Sequence, residues 1–458
     1  MPNSLINNNY LPANRRGYTL YLVMLILAVA GILFSITIAD IRRVRVTSKK
    51  EVQRTQAKLL AQSGMMRTEY FLNGGDGHSP AWETDNYEEK VDTFGVINLK
   101  VEKFGLFSRV ISTGRRLTTG YTLTGLFGRT VPRELEPSLT LTGHVGGLIL
   151  HKGSSVEGKI VLHHGYVYAR KKGTPLPDYT RRLILRESAP LPFDSLELPR
   201  IFESYLSKRK SARSQSSGSA GPILLDGSND SLLGIKPLIV NGDCRITAPR
   251  CNGAEIAVSG TCTIEPAAGV YNSFCTASRV IINGGTTESS FFFSEQTIMV
   301  NRGNHNSQFL ACDSIVIKNE ASTGPMALFA AYREKVQKDS FNLITGGIYS
   351  DPDMKLKGVF LSCSEPGIPY SSMSPSIVIG NGCRIDGVVV TDGDCFLQDA
   401  AVTGRLWARA IVARDDEGSY TNYLVNSSIR LPVSETPFPL LGELPMKIAI
   451  RLSRFPPP

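Results

Sequence analysis

Residues Tyr18 to Ala39 read YTLYLVMLILAVAGILFSITIA, 22 positions without a charge. A helix rises ~1.5 Å per residue, so this run crosses a ~30 Å hydrocarbon core and is expected to be a transmembrane helix. A cleaved secretory signal is the rival reading, with Thr37-Ile38-Ala39 as its cleavage site. The run is longer than the ~7–15 apolar residues of a signal core, which favours a retained anchor. Arg15 and Arg16 precede the span, whereas Arg42, Arg43, Arg45, Lys49, Lys50, Arg54 and Lys58 follow it. Counted by the positive-inside rule, the large C-terminal part would be cytoplasmic. The whole chain of 458 residues carries a net charge of +9, and residues 40–58 alone hold seven basic and two acidic side chains. Such a surplus beside an apolar span points to a membrane surface before nucleic acid.

The run Arg15-Arg16-Gly17-Tyr18-Thr19-Leu20-Tyr21-Leu22 resembles the leader junction of type IV pilin-like proteins. In that family a short basic leader ends in Gly, and an apolar helix follows at once and continues into an amphipathic one. The resemblance implies a leader over residues 1–17 and processing between Gly17 and Tyr18. Most pilins carry Glu at the fifth position after the cut, where this chain has Leu22. That departure is similar to type II secretion minor pseudopilins and the minor pilins like them. The Ala-rich stretch Gln56-Ala57-Lys58-Leu59-Leu60-Ala61-Gln62-Ser63-Gly64-Met65 is also comparable to theirs. The resemblance covers about residues 12 to 72. It implies a lipid bilayer and other pilin-like or secretion-system subunits as partners. It also implies an address in a bacterial inner membrane, with the C-terminal domain periplasmic or extracellular and a cytoplasmic domain as the alternative.

Between Asp40 and Leu72 there is no Pro and one Gly, and Val52, Leu59 and Met66 recur every seven residues. This predicts an amphipathic helix over 40–73 that continues the span of 18–39 and ends at Asn73-Gly74-Gly75. Short alternating runs separated by Gly predict a small antiparallel β module over 91–135.

Repeats set the expectation for the rest. Ile149-Leu150-His151-Lys152-Gly153 returns twelve residues later as Val161-Leu162-His163-His164-Gly165, and Gly242-Asp243-Cys244-Arg245-Ile246 returns eighteen later as Gly260-Thr261-Cys262-Thr263-Ile264. Six residues per face and eighteen per turn is the arithmetic of a three-sided parallel β-helix, expected to be right-handed although the repeat does not fix the hand. First coils are expected over 137–170 and the main body over 237–431. An insertion over 171–236 separates them, with a short helix near Ile201 to Lys210 and a Ser-rich basic linker. Ala327 to Lys338 reads as a helix inside the main body, Pro366 to Pro375 as a loop, and the Pro-rich residues 432–458 as a cap on the last coil. Gly-rich rungs such as Ile377-Val378-Ile379-Gly380-Asn381-Gly382 resemble those of bactofilins, which implies a polymer-forming scaffold with self-association through the coil ends.

The candidates for chemistry are few. All eight Cys (Cys244, Cys251, Cys262, Cys275, Cys312, Cys363, Cys383, Cys395) lie in the repeat region without a zinc spacing. They read as small apolar side chains inside the coils, with Cys244 and Cys262 as the pair the register would align for a disulfide. His144, His151, His163 and His164 do not share a column, so no metal is expected. Asp386, Asp392, Asp394 and Asp399 read as turn residues rather than a carboxylate pair. His305 is the one histidine in the main repeat region that could serve a hexapeptide-type acyl transfer. The expectation is a structural protein with no catalytic residue, cofactor or metal: a minor pilin or pseudopilin-like subunit displaying a β-helix. A bactofilin-like scaffold on the cytoplasmic side and an exported polysaccharide-active β-helix enzyme are the alternatives.

Overall fold

A computed structural model describes residues 14–72, 87–93, 95–129, 135–143, 147–151, 153–163, 166–169, 184–185, 198, 200–207, 223–226, 238–333, 335–338, 341–344, 346–364, 375–415, 418–431 and 449–451. Helix α1 (Asn14–Leu72) runs unbroken for 59 residues, about 88 Å at the helical rise. Nothing in it breaks the backbone ladder, and Ser35, Thr37 and Thr47 turn their hydroxyls back onto carbonyls four residues earlier. Among the described residues it is the one helix long and apolar enough to cross a membrane, with a mean hydropathy of 2.8 in its apolar window. Every residue from Tyr18 to Val52 is exposed.

The second half of α1 lies on an antiparallel sheet, β1 (Tyr87–Lys90), β2 (Gly95–Phe104), β3 (Phe107–Arg116) and β4 (Thr119–Arg129), joined at its far edge by the strand Ala449–Arg451. Ala61 and Met65 pack against Val110, Leu123 and Phe127. The contact is close because small residues meet. A Cβ on Gly114 would stand 2.2 Å from the Ala57 carbonyl oxygen, and one on Gly64 would meet the Ser112 hydroxyl at 2.3 Å. Ser112 donates that hydroxyl to the Ala61 carbonyl at 2.8 Å, so the polar atom at the crossing is paired.

Most of the rest of the described chain is built from parallel ladders. One column runs Cys244, Cys262, Val280, Ile298, Ile315, Ile348, Ile377, Cys395, Ile411. A second runs Ile256, Cys275, Phe292, Phe309, Phe329, Phe360, Val389, Leu406, Leu139, Ile160. All of these side chains are buried in one continuous core. Within the second column the rings of Phe292, Phe309, Phe329 and Phe360 stack with centroids 5.3, 5.0 and 5.2 Å apart, the spacing of neighbouring strands. Gly358, Gly387 and Gly404 occupy matching registers with positive φ, and a Cβ on Gly404 would lie 1.7 Å from the Gly387 carbonyl oxygen. Only glycine lets the backbones pass this closely.

Two expectations need correction. Ala327 to Lys338 is not a helix, because Leu328–Arg333 is a strand paired in parallel with Lys355–Ser364, and Lys335–Lys338 pairs with Phe341–Ile344. Its apolar run is buried on both faces, Phe329 and Ala331 inward and Leu328 and Ala330 outward, a pattern that periodicity cannot separate from a helix. The edge of the last ladder strand, where the cap was expected, is covered by the early repeats. Ser428–Arg430 pairs with Ser155–Val156, and Leu406 to Ala408 pair with Leu139 to Leu141, so the early repeats stack beyond the late ones. Within the proposed cap, residues 449–451 instead extend the sheet on α1, while 432–448 and 452–458 lie outside the described residues. The loop over 365–374 and most of the 171–236 insertion also lie outside them.

Residues 201–207 are helical, and with the β2–β3 turn they cover an outward apolar face of the ladders. Phe202 and Tyr205 pack on Phe291, Phe293 and Tyr332, and Phe104, Leu106 and Phe107 join the same cluster. Gln308 fixes this junction with two buried hydrogen bonds: it donates Nε2 to the Phe104 carbonyl at 3.0 Å and accepts from the Leu106 amide at 2.8 Å. Gly105 between them has φ +64°, and a Cβ there would meet Phe291 and Gln308 at 2.3 and 2.4 Å.

Candidate functional site

The surface with the clearest functional shape is α1 itself. Gly17 and Tyr18, the predicted processing pair, lie in its opening turns, and the Tyr18 side chain is 71% exposed. From there the apolar span stands free, while Ala57, Ala61, Met65 and Thr68 further along are buried on the sheet. One element thus holds both an unburied apolar rod and the spine of a folded domain. Arg42, Arg43, Arg45, Lys49, Lys50 and Arg54 between them, and Lys58 just past Ala57, are all exposed.

The groups singled out for chemistry have separate structural tasks. Asp394 is buried and takes an Arg409 guanidinium hydrogen at 2.6 Å. Asp392 accepts the Ser364 amide at 2.7 Å, Asp399 accepts the Asn426 side-chain amide at 2.8 Å in a left-handed turn, and Asp386 stands 4.0 Å from the Lys357 ammonium. They do not converge. All eight cysteines are free thiols and buried, and the Cys262 and Cys275 sulfurs are 3.4 Å apart. The Cys244 thiol is pushed up by its contact with Cys262 and by burial, and burial likewise raises Cys363 and Cys395, so these sulfurs stay protonated and unreactive. His151 and His163 are partly exposed, and His144 and His164 lie outside the described residues. Among the described residues no group of three or more His, Cys, Asp or Glu side chains could hold a metal ion.

A cleft of about 310 Å³ is lined by Thr286, Glu288, Asn304, His305, Asn306 and Ser322, among others. His305 sits in its wall with 1% of its surface exposed. Nε2 donates to the Arg302 carbonyl at 2.7 Å, which leaves Nδ1 to accept the Thr287 hydroxyl at 3.2 Å. Burial lowers its pKa, so the ring is neutral. Both nitrogens are already engaged inside the protein, which is the geometry of a structural histidine rather than a base aimed at a bound acceptor.

Sequence reading missed Gln308 and the two close approaches of α1 to the sheet, Gly64 at Ser112 and Gly114 at Ala57. A lone Gln in a polar rung carries no periodic signal, and a glycine that admits a distant backbone resembles any turn glycine.

No family model matches the chain, and no curated protein matches it. Among solved structures it is similar to the crystal structure of the competence-associated pilin ComZ from Thermus thermophilus, at 8% identity over 88% of this chain and 97% of that one. The TM-score is 0.19, too low to establish a shared fold.

Proposed function

We propose that the protein is a single-pass membrane subunit of pilin or pseudopilin type, which displays a parallel β-helix on the non-cytoplasmic side of a bacterial inner membrane. The observation that carries this reading is α1, whose exposed apolar first half continues without a break into a second half clamped on a small antiparallel sheet. The leader-like run ending at Gly17 supports the same reading. The parallel ladders, stepping by eighteen residues from Cys244 to Cys262 to Val280, support a β-helix as the displayed domain. Its role is structural, and the chemistry belongs to the partners.

The basic cluster after the span favours a second reading, a membrane-tethered scaffold facing the cytoplasm. Protease added to intact spheroplasts separates the two. Digestion of the ladder domain while a cytoplasmic marker survives is the expected result, and protection of the domain until the membrane is opened would overturn the proposal.

A further inference from the structure

The cleft beside His305 has a fixed floor and polar walls. Thr287, His305 and Thr323 form the floor as one buried column of the ladders, and each is hydrogen-bonded within the protein. Alternation along a strand turns the residues on either side of that column outward. Thr286, Asn304 and Ser322 stand in register as one wall, and Glu288 and Asn306 stand in register as the other. Gly324 opens the end beyond Asn306. A Cβ there would sit 2.3 Å from the Asn306 Oδ1 atom, and that oxygen accepts the Met326 amide at 2.9 Å. The Asn306 carboxamide is therefore fixed, and its Nδ2 hydrogens carry no partner among the described residues. Glu288 is half-buried, and its carboxylate makes no hydrogen bond or ion pair among the described residues.

This lining selects the chemistry of an occupant. No hydrocarbon side chain and no cation lines the cleft, and the guanidinium of nearby Arg302 is turned to Glu320 at 3.6 Å. An apolar ligand, or an anion beside Glu288, would find no complement there. A carboxylate accepts hydrogen bonds and an amide Nδ2 donates them, whereas each hydroxyl of a sugar does both. One strand earlier in the outward column, Tyr271 is in register with Glu288. Its ring lies back over Gly269, where a Cβ would meet the ring Cε2 at 2.7 Å. An aromatic ring with a polar tip thus stands beside the carboxylate. A volume of about 310 Å³ lies at the small end of the ~300–1,000 Å³ of small-molecule sites, which suits one sugar ring.

We propose that this cleft binds a single uncharged pyranose unit of a glycan, with Glu288 accepting from neighbouring hydroxyls, Asn306 donating to another and Tyr271 against the C–H edge of the ring. Binding is its whole task, because the lining holds one carboxylate and not the pair that glycoside cleavage uses. The site depends neither on the pilin-type reading nor on which side of the membrane the ladders face.

Saturation-transfer NMR on the full-length chain in phosphatidylcholine nanodiscs tests this, with the methyl pyranosides of glucose, galactose, mannose and N-acetylglucosamine as probes. Transfer to the ring protons of at least one pyranoside is expected, with a dissociation constant on the order of 1 mM for so small a ligand. Glu288→Gln keeps the shape of the cleft and should weaken that binding about tenfold. Ser322→Trp, at an exposed position, should fill the cleft and abolish binding while the melting temperature stays at the wild-type value. No transfer to any of the four probes, or unchanged transfer in either variant, would overturn the proposal. Tighter binding of methylammonium than of every pyranoside would also overturn it, by making the carboxylate a cation site.

Discussion

His305 and Cys262 show how much the interior of the ladders depends on single side chains. His305 is held neutral by burial, with its folded pKa below the value of about 6.5 that it has in the unfolded chain. The unfolded state therefore binds more protons as pH falls. Stability from this residue is present above about pH 6.5 and is lost as pH drops through the folded pKa. Melting temperatures of wild type and His305→Gln between pH 7.5 and 5 should converge as the pH falls, and parallel curves would remove His305 as the cause. Cys262 is fully buried, so Cys262→Ser places a hydroxyl where the neighbours are sulfur and aliphatic carbon. A loss on the order of 1–3 kcal/mol in urea denaturation is expected. This residue was legible in advance, because the eighteen-residue offset aligns it with Cys244. The His305 pairing was not, since Arg302 contributes a carbonyl and the sequence does not mark carbonyls.

The helix-on-sheet unit and its junction to the ladders are settled by packing at a few points. Gly114→Val would drive a branched side chain into the backbone of α1 at Ala57 and Ala61. It should cost on the order of 1–3 kcal/mol or more and loosen the second half of the helix, seen as faster amide exchange over residues 57–68. Gln308→Leu removes the partners of the Leu106 amide and the Phe104 carbonyl, both buried. The expected loss is about 1–3 kcal/mol for each orphaned group, with exchange rising first in the β2–β3 turn. If the turn stays as protected as in wild type, the junction is held by the aromatic cluster alone. The span was readable as an uncharged run and the antiparallel module by its alternation, but in the continuation Val52, Leu59 and Met66, whose seven-residue spacing suggested the apolar stripe, are exposed and Ala57, Ala61 and Met65 are buried instead. The strand at Leu328–Arg333 was misread because both its faces are buried and its alternation is erased.

Across the whole molecule, chain order and stacking order differ. Residues 139–162 precede the main ladders in sequence and lie beyond the last of them in space. A contact spanning more than 250 residues, such as Leu139 with Leu406, leaves no mark on local periodicity, so the far edge was assigned to the wrong segment. The consequence is testable: removal of residues 135–169 should expose the strand Ser428–Arg430 and promote association of the chain lacking its apolar span in sedimentation. The central claim concerns what the first helix is for, and the N-terminal sequence of the protein extracted from its own membranes tests it most directly. A mature chain beginning at Tyr18, with both leader arginines gone, is the predicted result. An intact Met1, or a start at Asp40, would contradict it.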